Sequence, residues 1–118
     1  MAAKPNLRTI ALFIQLAMVS GMNISSNSIV VATDSQVSSA LGDETVILHF
    51  NKGAYFGLNE VGSIIWQKLQ QPQTVGSIRE AILREYDVDA DQCEHDVINL
   101  LRQLHEQGLI EVRSEPAS

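Results

Sequence analysis

This chain contains a single cysteine, Cys93, among 118 residues. A disulfide framework is therefore excluded, and a reducing cytoplasm is the natural environment for the protein. A metal site usually needs several Cys, His or carboxylate ligands at a regular spacing, and one cysteine with three scattered histidines offers no such pattern. We therefore expect neither a metal nor a cofactor.

Positive charge is also scarce. Eight Lys and Arg stand against 14 Asp and Glu, which gives a formal net charge of −6 and a pI near 4.8. Because nucleic-acid affinity depends largely on Lys and Arg displacing counterions, this balance counts against DNA or RNA as a partner. An acidic surface suits a basic or amphipathic peptide, although acidity also serves solubility alone.

Motifs that carry catalysis are missing as well. The sequence has no Gly-rich phosphate loop, no Gly-x-Ser-x-Gly elbow and no dinucleotide fingerprint. Cys93 and His95 lie two residues apart on a predicted helix, so their side chains diverge and cannot form a thiolate–imidazole pair. We predict a binding protein, not an enzyme, with one domain over residues 22–113 and a disordered tail over residues 114–118.

No hydrophobic run is long enough to span a bilayer as a helix, which takes about twenty apolar residues. Residues 1–21 form an N-terminal apolar extension in which two basic residues precede the run 9–19. Three interpretations stay open: a secretory signal, an amphipathic helix that packs on the domain or on a membrane surface, and an upstream extension of a reading frame that began at Met22. Val19-Ser20-Gly21 is a poor cleavage site, which favours the last two.

The pattern after residue 23 first favours β-strands. Residues 28–33 contain a β-branched run, and residues 44–50 show the period of two that is typical of a strand. Asn51-Lys52-Gly53 has the composition of a hairpin loop and leads into the aromatic strand Ala54–Leu58. We predict that 44–50 and Ala54–Leu58 pair antiparallel in a three-stranded sheet, with Ala54–Leu58 as an edge strand.

The remainder of the chain predicts three helices, each preceded by a residue that caps its N-terminus. The caps are Asn59, Thr74 and Asp89, and the helices run over residues 60–69, from residue 75 onward, and over residues 90–107. Gly108 ends the last helix, after which residues 109–112 return as a short extended segment.

The last helix is unusual in the width of its apolar face. Two adjacent stripes lie along it, the first with Cys93, Val97, Leu100 and Leu104 and the second with Ile98, Leu101 and His105. One stripe is enough to bury a helix in a domain of this size. The second either meets the first two helices or forms one wall of a groove whose other wall is Ala54–Leu58. A peptide in that groove would add a strand to the sheet, which requires an edge that is unpaired in the resting fold.

Several short motifs together carry a resemblance to a known family. They are the segment Tyr55-Phe56-Gly57-Leu58-Asn59-Glu60-Val61-Gly62, then Ile65-Trp66, and two helices that end in Gly108-Leu109-Ile110. Over residues 23–112 this combination resembles the PqqD-like family, the peptide-chaperone domains called RiPP recognition elements. Val31-Ala32-Thr33 is similar to the stand-alone members of lasso-peptide biosynthesis, an antibiotic pathway. The resemblance implies a winged-helix-like α+β fold, a three-stranded antiparallel sheet followed by three helices, without catalytic activity.

The resemblance also implies a site. The leader segment of a ribosomally made precursor peptide would bind as an added strand between the third strand and the third helix. Carried onto this sequence, the peptide-binding residues are Ala54, Tyr55, Phe56, Gly57 and Leu58 on the strand and Val97, Leu100, Leu101 and Leu104 on the helix. Asp96 belongs to an acidic cluster at the start of that helix, which either serves helix capping and solubility or receives a Lys or Arg of a partner.

The partners that the lasso branch implies are the precursor leader peptide, a separate cysteine-type leader peptidase and an ATP-dependent cyclase, with no nucleic acid. Two alternatives remain. One is a PqqD-type chaperone for a radical maturase in another peptide pathway, which shares the fold and the groove. The other is a winged-helix transcription regulator, which needs a basic recognition helix, whereas residues 90–107 hold only Arg102 against four acidic residues.

Overall fold

The structure, a computed structural model, describes residues 12–13 and 24–113. Its elements follow in the order β1 Leu12–Phe13, β2 Ile29–Ala32, β3 Gln36–Leu41, β4 Glu44–His49, β5 Ala54–Leu58, α1 Glu60–Lys68, β6 Gln73–Thr74, α2 Val75–Glu85, α3 Ala90–Glu106 and β7 Ile110–Arg113. The predicted α+β class is confirmed. Apart from β1, the predicted N-terminal extension lies outside the described residues, and so does the predicted disordered tail.

The main sheet is antiparallel and has the strand order β1-β5-β4-β3. A two-residue turn, Gly42-Asp43, joins β3 to β4, and Gly42 takes a φ of +68° that a residue without a Cβ adopts readily. The predicted pairing of β4 with β5 is confirmed, with Ile47 opposite Phe56. Because both of these side chains are buried, they show which face of the sheet meets the core.

The first predicted strand belongs elsewhere than expected. The β-branched run forms β2, which pairs with β6 and β7 in a second sheet and not with the β4–β5 hairpin. Val30 and Val31 are buried there. The third strand of the main hairpin sheet is instead β3, whose side chains are mostly exposed. Its sequence carries little apolar alternation, and the tight turn before β4 sets its pairing.

The three predicted helices are confirmed. The side-chain oxygens of Asn59, Thr74 and Asp89 each accept a hydrogen bond from the backbone N–H three residues ahead, at 2.8, 3.1 and 3.0 Å. These caps satisfy N–H groups that have no partner within the helix. The last helix stops at Glu106, and Gly108 with a φ of +75° turns the chain into β7.

The core lies between the inner face of the main sheet and the helices. Its largest fully buried side chains include Ile47, Leu58, Ile65, Trp66, Ile78, Ile82, Leu100, Leu101 and Leu104. Two polar contacts hold the sheet against α1. Thr45 donates a hydrogen bond from Oγ1 to Ser63 Oγ at 2.7 Å, and Trp66 donates from Nε1 to Ser38 Oγ at 3.0 Å. Because buried polar groups cost stability when unpaired, these bonds favour one orientation of the helix.

Candidate functional site

The edge of β5 presents backbone groups that are not used by β4. A two-residue turn closes on a hydrogen-bonded pair, which here is Leu41 with Glu44. Hydrogen-bonded and non-bonded pairs alternate along an antiparallel ladder, so Thr45 and every second residue after it direct their backbone groups toward β5. On β5 itself, Tyr55 and Gly57 therefore direct their N–H and C=O groups away from β4.

That edge is partly occupied by the chain itself. β1 pairs antiparallel with β5, with Leu12 opposite Leu58 and Phe13 opposite Gly57. The expectation of an unpaired edge is therefore wrong at the C-terminal end of β5. The backbone groups of Tyr55 face no strand in the described part of the chain. Among the described residues, the edge is paired with β1 at Gly57 and Leu58 and with no strand at Tyr55.

The five predicted strand residues divide by face. Tyr55 is 70% exposed, whereas Phe56 and Leu58 are each 2% exposed and belong to the core. Ala54 and Gly57 are half-buried. Because the two large apolar side chains of this edge point inward, an added strand would meet β5 mainly through its backbone and the side chain of Tyr55. The contact of these residues with a peptide stays a prediction.

The predicted apolar wall of α3 is buried. Val97, Leu101 and Leu104 are 0% exposed, and Leu100 is 2% exposed. The structure brings these four side chains together in the hydrophobic core. Of the two interpretations of the second stripe, the burial of Leu101 favours the one in which the stripe packs inside the domain, with Ile98 partly buried against the core. The contact of the four predicted residues with a peptide stays a prediction.

A polar stripe lies along α3, and Asp96 is its one member that the sequence pattern indicated. Asp96, Gln103 and Gln107 follow at helical spacing on one flank, half-buried. On the opposite flank, Glu94 forms an ion pair with Arg79 of α2. The polar flank therefore faces away from α2.

The far end of this polar stripe reaches the β4–β5 hairpin. Lys52, in the turn before β5, donates from Nζ to the backbone oxygen of Gln107 at 2.8 Å and to its Oε1 at 3.4 Å. This contact ties the end of α3 to the start of the edge strand. The predicted residue Asp96 lies at the other end of the stripe, where its Oδ1 accepts from Gln92 Nε2 at 2.8 Å. Helical spacing was the signal that could have revealed the stripe.

The outer face of the main sheet is apolar and accessible. Val37 on β3 is 51% exposed and lies opposite Leu48 on β4, which lies opposite Tyr55 on β5. Together with Val46 these residues line a shallow depression with almost no polar surface. Exposed apolar area of this kind is typical of a surface that contacts other proteins. The sequence did not indicate it, because β3 was not recognised as a strand.

The single thiol is placed where it is chemically quiet. Cys93 is 0% exposed, and burial raises the pKa of its thiol above the ordinary value of 9.0, with the nearby charge of Asp96 acting in the same direction. A thiolate is the nucleophilic form, so a buried neutral thiol is a poor nucleophile.

No cluster of His, Cys, Asp and Glu that could hold a metal ion occurs among the described residues. No helix in that part of the chain is long and apolar enough to cross a bilayer.

We expect Cys93 to be inert toward Ellman's reagent at pH 8 in the folded protein and to react fully in guanidinium chloride.

The raised pKa of Cys93 also affects the stability of the fold. Below the ordinary pKa of 9.0, the thiol is neutral in the folded and in the unfolded protein. Its ionisation then takes nothing from the free energy of unfolding. As pH rises above about 9.0, only the unfolded thiol ionises, and unfolding becomes easier. Chemical denaturation at pH 8 and pH 10 measures this, and Cys93→Ala is the control that should lose the thiol's share of the pH dependence.

Comparison with known proteins identifies the class. The chain matches the family model described as coenzyme PQQ synthesis protein D, PqqD, over residues 44–110. The chain belongs to the PqqD family, as the sequence motifs predicted. No curated protein matches its sequence.

Two solved structures are similar. One, described as TbiB1 in complex with the TbiA(beta) leader peptide, has 41% sequence identity and a TM-score of 0.66, and the match covers 69% of this chain and 94% of that one. The other, described as lasso peptide synthetase B1 complexed with the leader peptide, has 22% identity and a TM-score of 0.63, and the match covers 70% of this chain and 96% of that one. At that identity the second structure supports the fold alone.

Proposed function

We propose that this chain binds the leader segment of a ribosomally made precursor peptide, by addition of the leader as an antiparallel strand to β5. The observation that carries the proposal is the antiparallel pairing of β1 with β5, which supports an edge able to take an additional strand. Main-chain hydrogen bonds would supply affinity, and neighbouring side chains would supply selectivity. A relative with 41% identity has been solved with a leader peptide, which supports the same ligand class here.

The surroundings of the edge support a short peptide as ligand. The outward backbone of Tyr55 offers a donor and an acceptor, and its exposed ring lies beside them. The polar flank of α3 offers Asp96 and Gln103 to a peptide that runs along the helix. The net charge of −6 favours a leader with basic residues and disfavours a nucleic acid.

Fluorescence polarisation with a labelled TbiA(beta) leader peptide tests the proposal. We expect saturable binding to the full chain, reversed by excess unlabelled leader. A scrambled leader of identical composition is the matched control, since it keeps the charge and loses the order of its anchors. A labelled DNA duplex at low salt tests the transcription-regulator alternative. Equal binding of the native and scrambled leaders, or salt-sensitive duplex binding in place of leader binding, would contradict the assignment.

We further propose that the chain is a non-catalytic cytoplasmic adaptor, which presents the bound leader to a separate cysteine-type leader peptidase and to an ATP-dependent cyclase. The buried, neutral Cys93 supports the division of labour, because the chain's own thiol is not placed to cleave a peptide. The apolar outer face around Val37 and Tyr55 adjoins the edge strand, so a peptidase that docks there would meet the bound leader. Mass spectrometry should find the leader intact after incubation with this chain alone.

A further inference from the structure

The pairing of β1 with β5 has a regulatory consequence if β5 is the leader-binding edge, and this inference rests on the proposed function. Phe13 lies opposite Gly57, and Gly57 is one of the two β5 residues whose backbone groups point away from β4. The chain's own segment thus uses the same donor and acceptor that an added leader strand would use. Two strands cannot pair with one edge at the same residues.

We propose that Leu12–Phe13 acts as an intramolecular competitor of the leader, so that the adaptor rests in a self-occupied state and opens when a leader displaces β1. The pairing of β1 with β5 is short, so β1 is a weak competitor. Among the described residues, β1 pairs with β5 over two residues, whereas β4 pairs with β5 over five. A leader that extends along the whole of β5, including Tyr55, which faces no strand among the described residues, can form more main-chain bonds than these two residues do.

Covalent attachment compensates for the short pairing. Because β1 and β5 belong to one chain, β1 competes as an intramolecular strand, at an effective concentration that does not depend on the concentration of the protein. A segment that occupies the edge for about nine-tenths of the time would weaken the apparent leader affinity about tenfold. The segment therefore raises the intrinsic affinity that a peptide needs in order to bind. A leader with well-matched anchor residues reaches that affinity, and an unrelated extended peptide does not.

Proline substitutions in the full chain test this device. Phe13 faces the hydrogen-bonded position of Gly57, so Phe13→Pro removes the N–H that pairs with β5. By the same alternation the N–H of Leu12 points away from β5, which makes Leu12→Pro a matched control of equal stiffness. We expect Phe13→Pro to tighten binding of the labelled TbiA(beta) leader about three- to tenfold and Leu12→Pro to change it much less.

Amide exchange measured by NMR provides a readout that does not involve the leader. In the free wild-type chain the N–H of Gly57 should exchange slowly and that of Tyr55 fast, and Phe13→Pro should accelerate Gly57 alone. Equal leader affinities in wild type and Phe13→Pro, with unchanged exchange at Gly57, would overturn the competitor while leaving leader binding intact. Weaker binding in Phe13→Pro would also overturn it, because β1 would then be part of the site. Absence of leader binding in all three chains would instead remove the proposed function.

Discussion

Replacing Leu101 with Asp is expected to unfold the domain. Leu101 is 0% exposed in the centre of α3, and it packs in the same core as Trp66 and Ile65. A carboxylate at this position would be buried without a partner, and unpaired buried charges cost several kcal/mol. Since small domains are stable by only about 5–15 kcal/mol, we expect loss of most of the folded population. Circular dichroism with urea titration measures the change.

Two further variants separate charge from cavity. Asn99→Asp introduces the same charge on the exposed side of the same helix and should leave stability within about 0.5 kcal/mol. Leu101→Ala removes the side chain without adding charge and should cost about 2–5 kcal/mol. A Leu101→Asp chain with the stability of the wild type would show that this side chain is not in the core, and would restore the open groove wall that the sequence pattern suggested.

Replacing Tyr55 with proline is expected to weaken leader binding by about tenfold or more. The N–H of Tyr55 points away from β4, so its loss removes a donor from the outer edge of β5 and from no strand pair among the residues that the structure describes. An unmade hydrogen bond that leaves a leader carbonyl unsatisfied costs about 1–3 kcal/mol, and 1.4 kcal/mol corresponds to a factor of ten. Polarisation titration with the TbiA(beta) leader gives the ratio of dissociation constants.

The control for this variant is Tyr55→Ala, which keeps the backbone donor. The side chain is 70% exposed, so both variants should remain folded. If Tyr55→Ala weakens binding as strongly as Tyr55→Pro, the ring and not the backbone carries the contact. If neither variant changes the affinity, the leader does not add to this edge, and the strand-addition geometry is wrong. Similar urea midpoints for the two variants would establish that the comparison concerns binding and not folding.

The two predictions separate the residues that hold the fold from the groups that would contact a leader. The apolar residues of α3 lie in the same core as the inward side chains of β5. Their effect on leader binding would therefore be indirect, through the position of β5. On the proposed function, the groups that would meet the leader are the backbone of β5, the ring of Tyr55 and the flank of α3 that contains Asp96 and Gln103. The link from Lys52 to Gln107 holds these two parts together at one end. On this proposal, selectivity for a leader would depend on a small number of side chains.

Several features of this protein were determined by local sequence. The three helices follow from capping residues that bond to N–H groups three positions ahead, a contact made within one turn. The β4–β5 hairpin follows from a period-two pattern on either side of a short loop, and the family follows from the motif that begins at Tyr55. Each of these signals is carried by residues that are neighbours in sequence, so no knowledge of the remaining chain is needed.

Other features were decided only by the tertiary structure. Whether Leu101 lies in a groove or in the core depends on which elements pack against both flanks of α3, and a helical pattern has the same appearance in both cases. The partners of β2 lie in β6 and β7, far along the chain. The occupation of the β5 edge by Leu12–Phe13 depends on backbone groups, which every residue has and which no side-chain pattern distinguishes. The sequence therefore determined the elements and the family, whereas long-range packing determined which surfaces remain available to a ligand.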